Sequence, residues 1–285
     1  MPFTTLISAA ELMQHLDNPS YIILDCRSEL TDPKAGALAF ASGHIPGAQH
    51  ADPDIQLSDK SAGSNGAFRG RHPLPNQDTF IEALRDWGVY PNSQVVVLDA
   101  HGGMFAARLW WMLRWVGHRG VAVLDGGLQA WQAAGGALTQ EVIVRPRGSI
   151  TRQPALTSLV TADDVLANLS ARARVVLDAR AADRFRGENE TIDPVAGHIP
   201  GAKNRWFKDN LLPDGHFKAA DALRAEFSAL IKSPESTILQ CGSGISACHN
   251  LLAMEIAGLP GAALYPGSWS EWSSDASRPV ATGAA

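Results

Sequence analysis

Cys241 opens a six-residue loop, Cys241-Gly242-Ser243-Gly244-Ile245-Ser246, that could carry nucleophilic chemistry. The short run Ser236–Gln240 before it, β-branched in its middle, predicts a strand. The run Ala247–Ala257 after it predicts a helix that stops at Gly258. Two glycines let the backbone curl around a sulfur atom without Cβ clashes. The N–H groups of such a loop, at a helix N-terminus, can converge into an anion-binding nest. A thiol placed there ionises more readily than a free cysteine, and the thiolate is the nucleophile. A cysteine at a strand end can equally be buried and inert. The loop by itself leaves both readings open.

The rest of the chain sets where this loop sits. Its 285 residues suffice for about two domains with separate cores. A charged fraction of 19% and an apolar fraction of 45% describe a water-soluble globular chain. The net charge of −5 and the lack of a basic block argue against nucleic acid as a partner. No apolar run is long enough to span a membrane, and the opening residues lead us to expect no secretory signal. Cys26, Cys241 and Cys248 do not form a disulfide framework, so a reducing cytoplasm is expected. Cys248 and His249 are adjacent, which is not a zinc spacing, and no metal or cofactor is expected.

The chain repeats itself once. Gly43-His44-Ile45-Pro46-Gly47-Ala48 returns as Gly197-His198-Ile199-Pro200-Gly201-Ala202, and Leu24-Asp25-Cys26-Arg27 returns as Leu177-Asp178-Ala179-Arg180. The strand before Asp99 parallels the strand before Cys241, and Asp125–Trp131 parallels Pro266–Trp272. Matched landmarks in one order predict two copies of one domain, over residues 1–140 and 157–285, joined by a Pro- and Gly-containing connection over 141–156. Strand-like Tyr21–Asp25, Val95–Asp99 and Val121–Leu124 alternate with helix-like Asp78–Trp87 and Phe105–Val116. That alternation predicts an α/β fold in which each domain is a mainly parallel sheet flanked by helices. Ligands in such sheets sit beyond the carboxyl ends of the strands, where Cys241 falls. The first copy carries Asp99 in place of the cysteine, and a longer polar segment between Ala48 and Pro75. One site is therefore expected, built by the second copy and completed by the first.

These features resemble the tandem rhodanese-type sulfurtransferases across nearly the whole chain. The resemblance rests on both His-Ile-Pro-Gly-Ala segments, on Trp110-Trp111-Met112 after Gly102-Gly103, on Gly117-His118-Arg119, on Cys241 to His249, and on Gly267-Ser268-Trp269. The neutral Gly242-Ser243 pair is similar to the 3-mercaptopyruvate sulfurtransferase branch; the thiosulfate branch typically has cations there. The resemblance implies that Cys241 carries sulfur as a persulfide, and that Ser243, His72 and Asp52 form a proton relay. It implies that Arg184, in Arg184-Phe185-Arg186-Gly187, holds the substrate carboxylate. A second arginine is expected shortly before the second Gly-His-Ile-Pro, but Thr191-Ile192-Asp193 stands there, and Arg186 is the candidate substitute. Ile245 and Ser246 replace the more usual Val and Thr.

The reaction implied has two steps. Cys241 takes sulfur from 3-mercaptopyruvate, releasing pyruvate, with the amides of Gly242, Gly244, Ile245 and Ser246 holding the anionic terminal sulfur. An acceptor such as thioredoxin, a low-molecular-weight thiol or cyanide then removes it. The alternative within the family is a thiosulfate:cyanide sulfurtransferase; outside it, a non-catalytic persulfide-sensing or binding module. A tyrosine-type phosphatase would need an arginine six positions after its cysteine, and position 247 is alanine. Cys26 and Cys248 read as core, His44 and His198 as turn locks, Asp25 and Asp178 as loop anchors. A monomer is expected, since the two copies can pair within one chain.

Overall fold

The structure is a computed structural model that describes residues 1–61 and 66–284. The chain divides into two compact units, and neither is a contiguous half. The first comprises residues 1–59, 75–156 and 212–217; the second comprises 60–74, 157–211 and 218–285.

The first unit runs β1 (Leu6–Ile7), α1 (Ala9–Met13), β2 (Tyr21–Asp25), α2 (Ala35–Ser42), β3 (Ala48–His50), α3 (Gln77–Asp86), β4 (Gln94–Leu98), α4 (Ala106–Trp115), β5 (Val121–Leu124) and α5 (Gly127–Ala133). Its five strands lie in the order β1-β5-β4-β2-β3, every pair parallel. The second unit runs β6 (Ser158–Leu159), α6 (Ala162–Ala171), β7 (Val175–Asp178), α7 (Ala182–Arg186), β8 (Lys203–Asn204), a 3₁₀ turn (Phe207–Asn210), α8 (Ala220–Ser228), β9 (Thr237–Gln240), α9 (Ser246–Ile256), β10 (Ala263–Leu264) and α10 (Ser268–Trp272). Its order, β6-β10-β9-β7-β8, is the same order and again all parallel. The two central strands are β4 and β9, the strands that lead into Asp99 and Cys241.

The cores explain why the strands read as unbroken apolar runs. Gln94–Leu98 is buried along its whole length, as expected of a strand covered on both faces. Ile23, Val96, Leu98, Ala122, Leu124 and Trp131 meet in the first core; Val176, Ile238, Ala263, Tyr265, Trp269 and Trp272 meet in the second. Each such large side chain taken from water contributes about 1.5–3 kcal/mol.

The duplicated motifs hold matching turns in place. His44 stacks on Phe40 at 3.9 Å between ring centroids, with its Nδ1 2.9 Å from the Phe40 carbonyl. His198 repeats this on Phe185, at 3.8 Å and 2.8 Å. Asp25 and Asp178 accept the N–H groups of Arg27 and Arg180 and also pair with their guanidinium groups.

Residues 141–156 belong to the first unit and are strapped to it. Gly148 and Ile150 donate to the carbonyls of Arg85 and Val89, and Gln153 and Leu156 to those of Val116 and Arg114. Among the described residues, no helix is long and apolar enough to cross a membrane.

Candidate active site

The loop after β9 is held by backbone geometry. Gly244 has φ +79°, and a Cβ there would lie 2.3 Å from the Pro266 carbonyl oxygen, so only glycine fits. The start of α10 fastens the loop from the other side. Cys241 N–H donates to Ser268 Oγ at 3.1 Å, while Trp269 and Ser270 N–H donate to the carbonyls of Cys241 and Gly242 at 3.0 and 2.9 Å. Asn210 braces α9 from beneath, its Nδ2 lying 3.1 Å from His249 Nδ1 and 2.6 Å from Asn250 Oδ1.

Cys241 is 2% exposed, and its Sγ accepts the Gly244 N–H at 3.1 Å. The N–H groups of Gly242, Ser243, Ile245 and Ser246 find no acceptor among the described residues. Four backbone donors thus remain in the loop that leads into α9. Cys248 points its Sγ at the Gly244 carbonyl, 3.3 Å away, and is fully buried, as is Cys26. Burial, then the Asp99 and Asp25 charges, push the Cys26 thiol well up. All three cysteines are free thiols, and no metal-ligand cluster occurs among the described residues.

Ser243 and His72 come together. Ser243 is buried, and its Oγ lies 2.7 Å from His72 Nδ1. This is possible because the segment 60–74, which carries His72, packs with the second unit. Asp52 lies in the first unit, where it closes its own turn. Its Oδ1 accepts the Asp54 N–H at 2.8 Å, and its carbonyl accepts from Ile55, Gln56 and Leu57.

A charged cluster stands beside the loop. Arg184 forks onto Glu190 at 2.8 and 3.0 Å through Nη2 and reaches Asp193 at 3.2 Å. Arg180 pairs with Asp178 at 2.7 Å and Glu190 at 3.3 Å, its guanidinium 4.8 Å from the Trp269 ring centroid. Burial works against its charge, but Asp178 and then Glu190 outweigh this and raise its pKa. Arg71 pairs with Asp193. A Cβ on Gly242 would lie 2.9 Å from Arg71 Nη2 and 3.7 Å from Arg184 Nη2, so Gly242 makes room for two guanidinium groups. Burial lowers the Arg71 pKa, and a negative charge on Cys241 opposes that shift.

Arg186, the candidate second carboxylate binder, forks onto Glu188 at 2.7 Å with 37% of its side chain exposed. It follows Arg184 by two residues on the five-residue α7, about 200° around a helix. Arg71, Glu190 and Asp193 are the members that sequence reasoning missed. The available signal was the run Glu190 to Asp193 standing where a cation was expected, which leaves its carboxylates in need of partners.

Both halves match the rhodanese-like domain family, over residues 8–134 and 161–275. A probable 3-mercaptopyruvate sulfurtransferase of Pseudomonas aeruginosa is 48% identical over 287 residues, covering 99% of this chain and all of that protein. A thiosulfate sulfurtransferase of Bos taurus is 33% identical over 261 residues, covering 89% of this chain and 85% of that one. The solved 3-mercaptopyruvate sulfurtransferase of Leishmania major superposes with a TM-score of 0.83 at 30% identity, over 95% of this chain and 74% of that one. The chain belongs to the rhodanese family and is a tandem rhodanese-domain sulfurtransferase.

Proposed function

We propose that the protein takes sulfur from 3-mercaptopyruvate onto Cys241 and passes it to a thiol, such as thioredoxin or a small thiol, or to cyanide. The observation that carries this reading is the 2.7 Å approach of His72 Nδ1 to Ser243 Oγ on the loop that holds Cys241. A donor that must shed a thiol proton needs such a relay, and thiosulfate does not.

The Cys241 thiolate attacks the donor sulfur. An S–S bond forms, the donor C–S bond breaks, and its electron pair goes to the donor carbon. That carbon takes up the proton that the donor thiol loses, which gives the methyl group of pyruvate. Ser243 and His72 move the proton, with His72 as base. Arg184 pairs with the donor carboxylate. The amides of Gly242, Gly244, Ile245 and Ser246 hold the negative terminal sulfur. The acceptor thiolate or cyanide then attacks that sulfur and returns Cys241 as thiolate, in ping-pong order.

Thiosulfate as donor is the second reading, favoured by the guanidinium groups of Arg71 and Arg184 above Gly242, which suit a sulfonate leaving as sulfite. Steady-state kinetics with both donors and cyanide as common acceptor separate the two. A larger kcat/KM for 3-mercaptopyruvate is expected; a large advantage for thiosulfate would overturn the first reading. His72→Ala lowers kcat/KM for 3-mercaptopyruvate by about 10²-fold, the scale of one general base, and thiosulfate turnover by much less. Equal losses would remove the relay.

A further inference from the structure

An acid at position 193, beside a site for anionic sulfur and an anionic donor, is a physical problem. Asp193 is 8% exposed, and an unpaired carboxylate there would repel both. The surrounding bonds resolve it. The N–H groups of Ile192 and Asp193 donate to Glu190 Oε1 at 2.9 and 3.0 Å, which fixes the turn. Asp193 Oδ1 then takes Arg71, and Oδ2 takes Arg184.

Arg71 is held from its own backbone as well. Its N–H donates to Ser270 Oγ at 3.1 Å, and the Ser270 N–H is the group bonded to the Gly242 carbonyl. Gly70, at φ +96°, lets the segment lie against α10, because a Cβ there would sit 2.7 Å from the Gly267 carbonyl oxygen. These contacts use Arg71 Nη1 and leave Nη2 over Gly242. Among the described residues, Arg71 Nη2 and Arg184 Nη1 donate to nothing. Two guanidinium groups with unspent N–H donors therefore flank the loop.

We propose that Arg71 is the second carboxylate-binding cation of the donor site, and that Asp193 is its positioning residue. The cation stands on the segment before His72, and the acid of the 190–193 turn orients it. This assignment rests on the 3-mercaptopyruvate reading above and adds a donor-selecting residue to it.

The test compares 3-mercaptopyruvate with mercaptoacetone, the same donor with a methyl group in place of the carboxylate. The readout is the ratio of their kcat/KM values. Arg71→Ala is expected to lower that ratio about 10- to 100-fold, the scale of one charge-assisted contact, mainly through KM for 3-mercaptopyruvate. Asp193→Asn is expected to lower it about 3- to 10-fold, with Asp193→Glu retaining part of the preference. Arg71→Ala/Asp193→Asn leaves no unpaired buried carboxylate and guards against misfolding; the same fall in ratio is expected. An unchanged ratio in the folded double variant, or both donors losing equally, would overturn the assignment. Pyruvate inhibition of thiosulfate-to-cyanide transfer reads the same contact independently of donor identity. If wild type ignores 3-mercaptopyruvate, the donor reading fails, and a weakened pyruvate Ki in the Arg71 variants still supports the carboxylate site. An unchanged Ki refutes it.

Discussion

The loops after the two central strands give opposite answers to one problem. After β4, the Asp99 carboxylate accepts four N–H groups: His101 and Gly103 through Oδ1 at 2.8 and 2.9 Å, Phe105 and Ala106 through Oδ2 at 2.7 and 2.9 Å. After β9, the Cys241 sulfur accepts one N–H group, and those of Gly242, Ser243, Ile245 and Ser246 have no acceptor among the described residues. The first loop is an anion nest filled by its own side chain. The second is a comparable nest around a smaller, softer group. The first copy thus displays what the backbone of this fold can bind, a negative atom at the strand end, and a terminal persulfide sulfur would present the second loop with the same charge.

The largest effect is expected at Cys241. Cys241→Ser should abolish sulfur transfer to every acceptor, a loss of at least about 10³-fold measured as turnover with cyanide; full turnover would remove the nucleophile. An intermediate effect is expected at Asp99. Asp99→Ala strips the anion from the first nest and should cost about 2–4 kcal/mol in denaturant unfolding, with chemistry at Cys241 retained in the folded protein. A neutral stability effect would mean that the four hydrogen bonds do not hold the loop. The smallest effect belongs to Cys248. Cys248→Ala should keep turnover within about 2-fold, since its thiol donates to the Gly244 carbonyl and is buried in the core. A large loss would make it a working thiol.

The fold was legible because the chain contains it twice. Each apolar run fixed a strand to within a residue, as Val95–Asp99 against the observed Gln94–Leu98, and Phe105–Val116 found the helix Ala106–Trp115. The Cys241 loop was legible from its local pattern, whereas the approach of His72 to Ser243 was implied only by the family resemblance. The Arg71–Asp193 pair was not legible, because no motif points to a cation at 71 and an acid stands at 193 where a cation was expected. The partition of segments between units was equally hidden. The alternation of strands and helices does not reveal that 60–74 packs with the second unit or 212–217 with the first.

That exchange of segments limits how the chain could ever be divided. A fragment beginning at residue 157 would keep the nucleophile yet lack Arg71 and His72. The earlier half, on its own, would be missing 212–217, whose Phe217 N–H donates to Asp125 at 2.9 Å. Because each unit takes in a segment from the other half of the chain, neither is a portable cassette, and a cut at residue 157 would discard part of both.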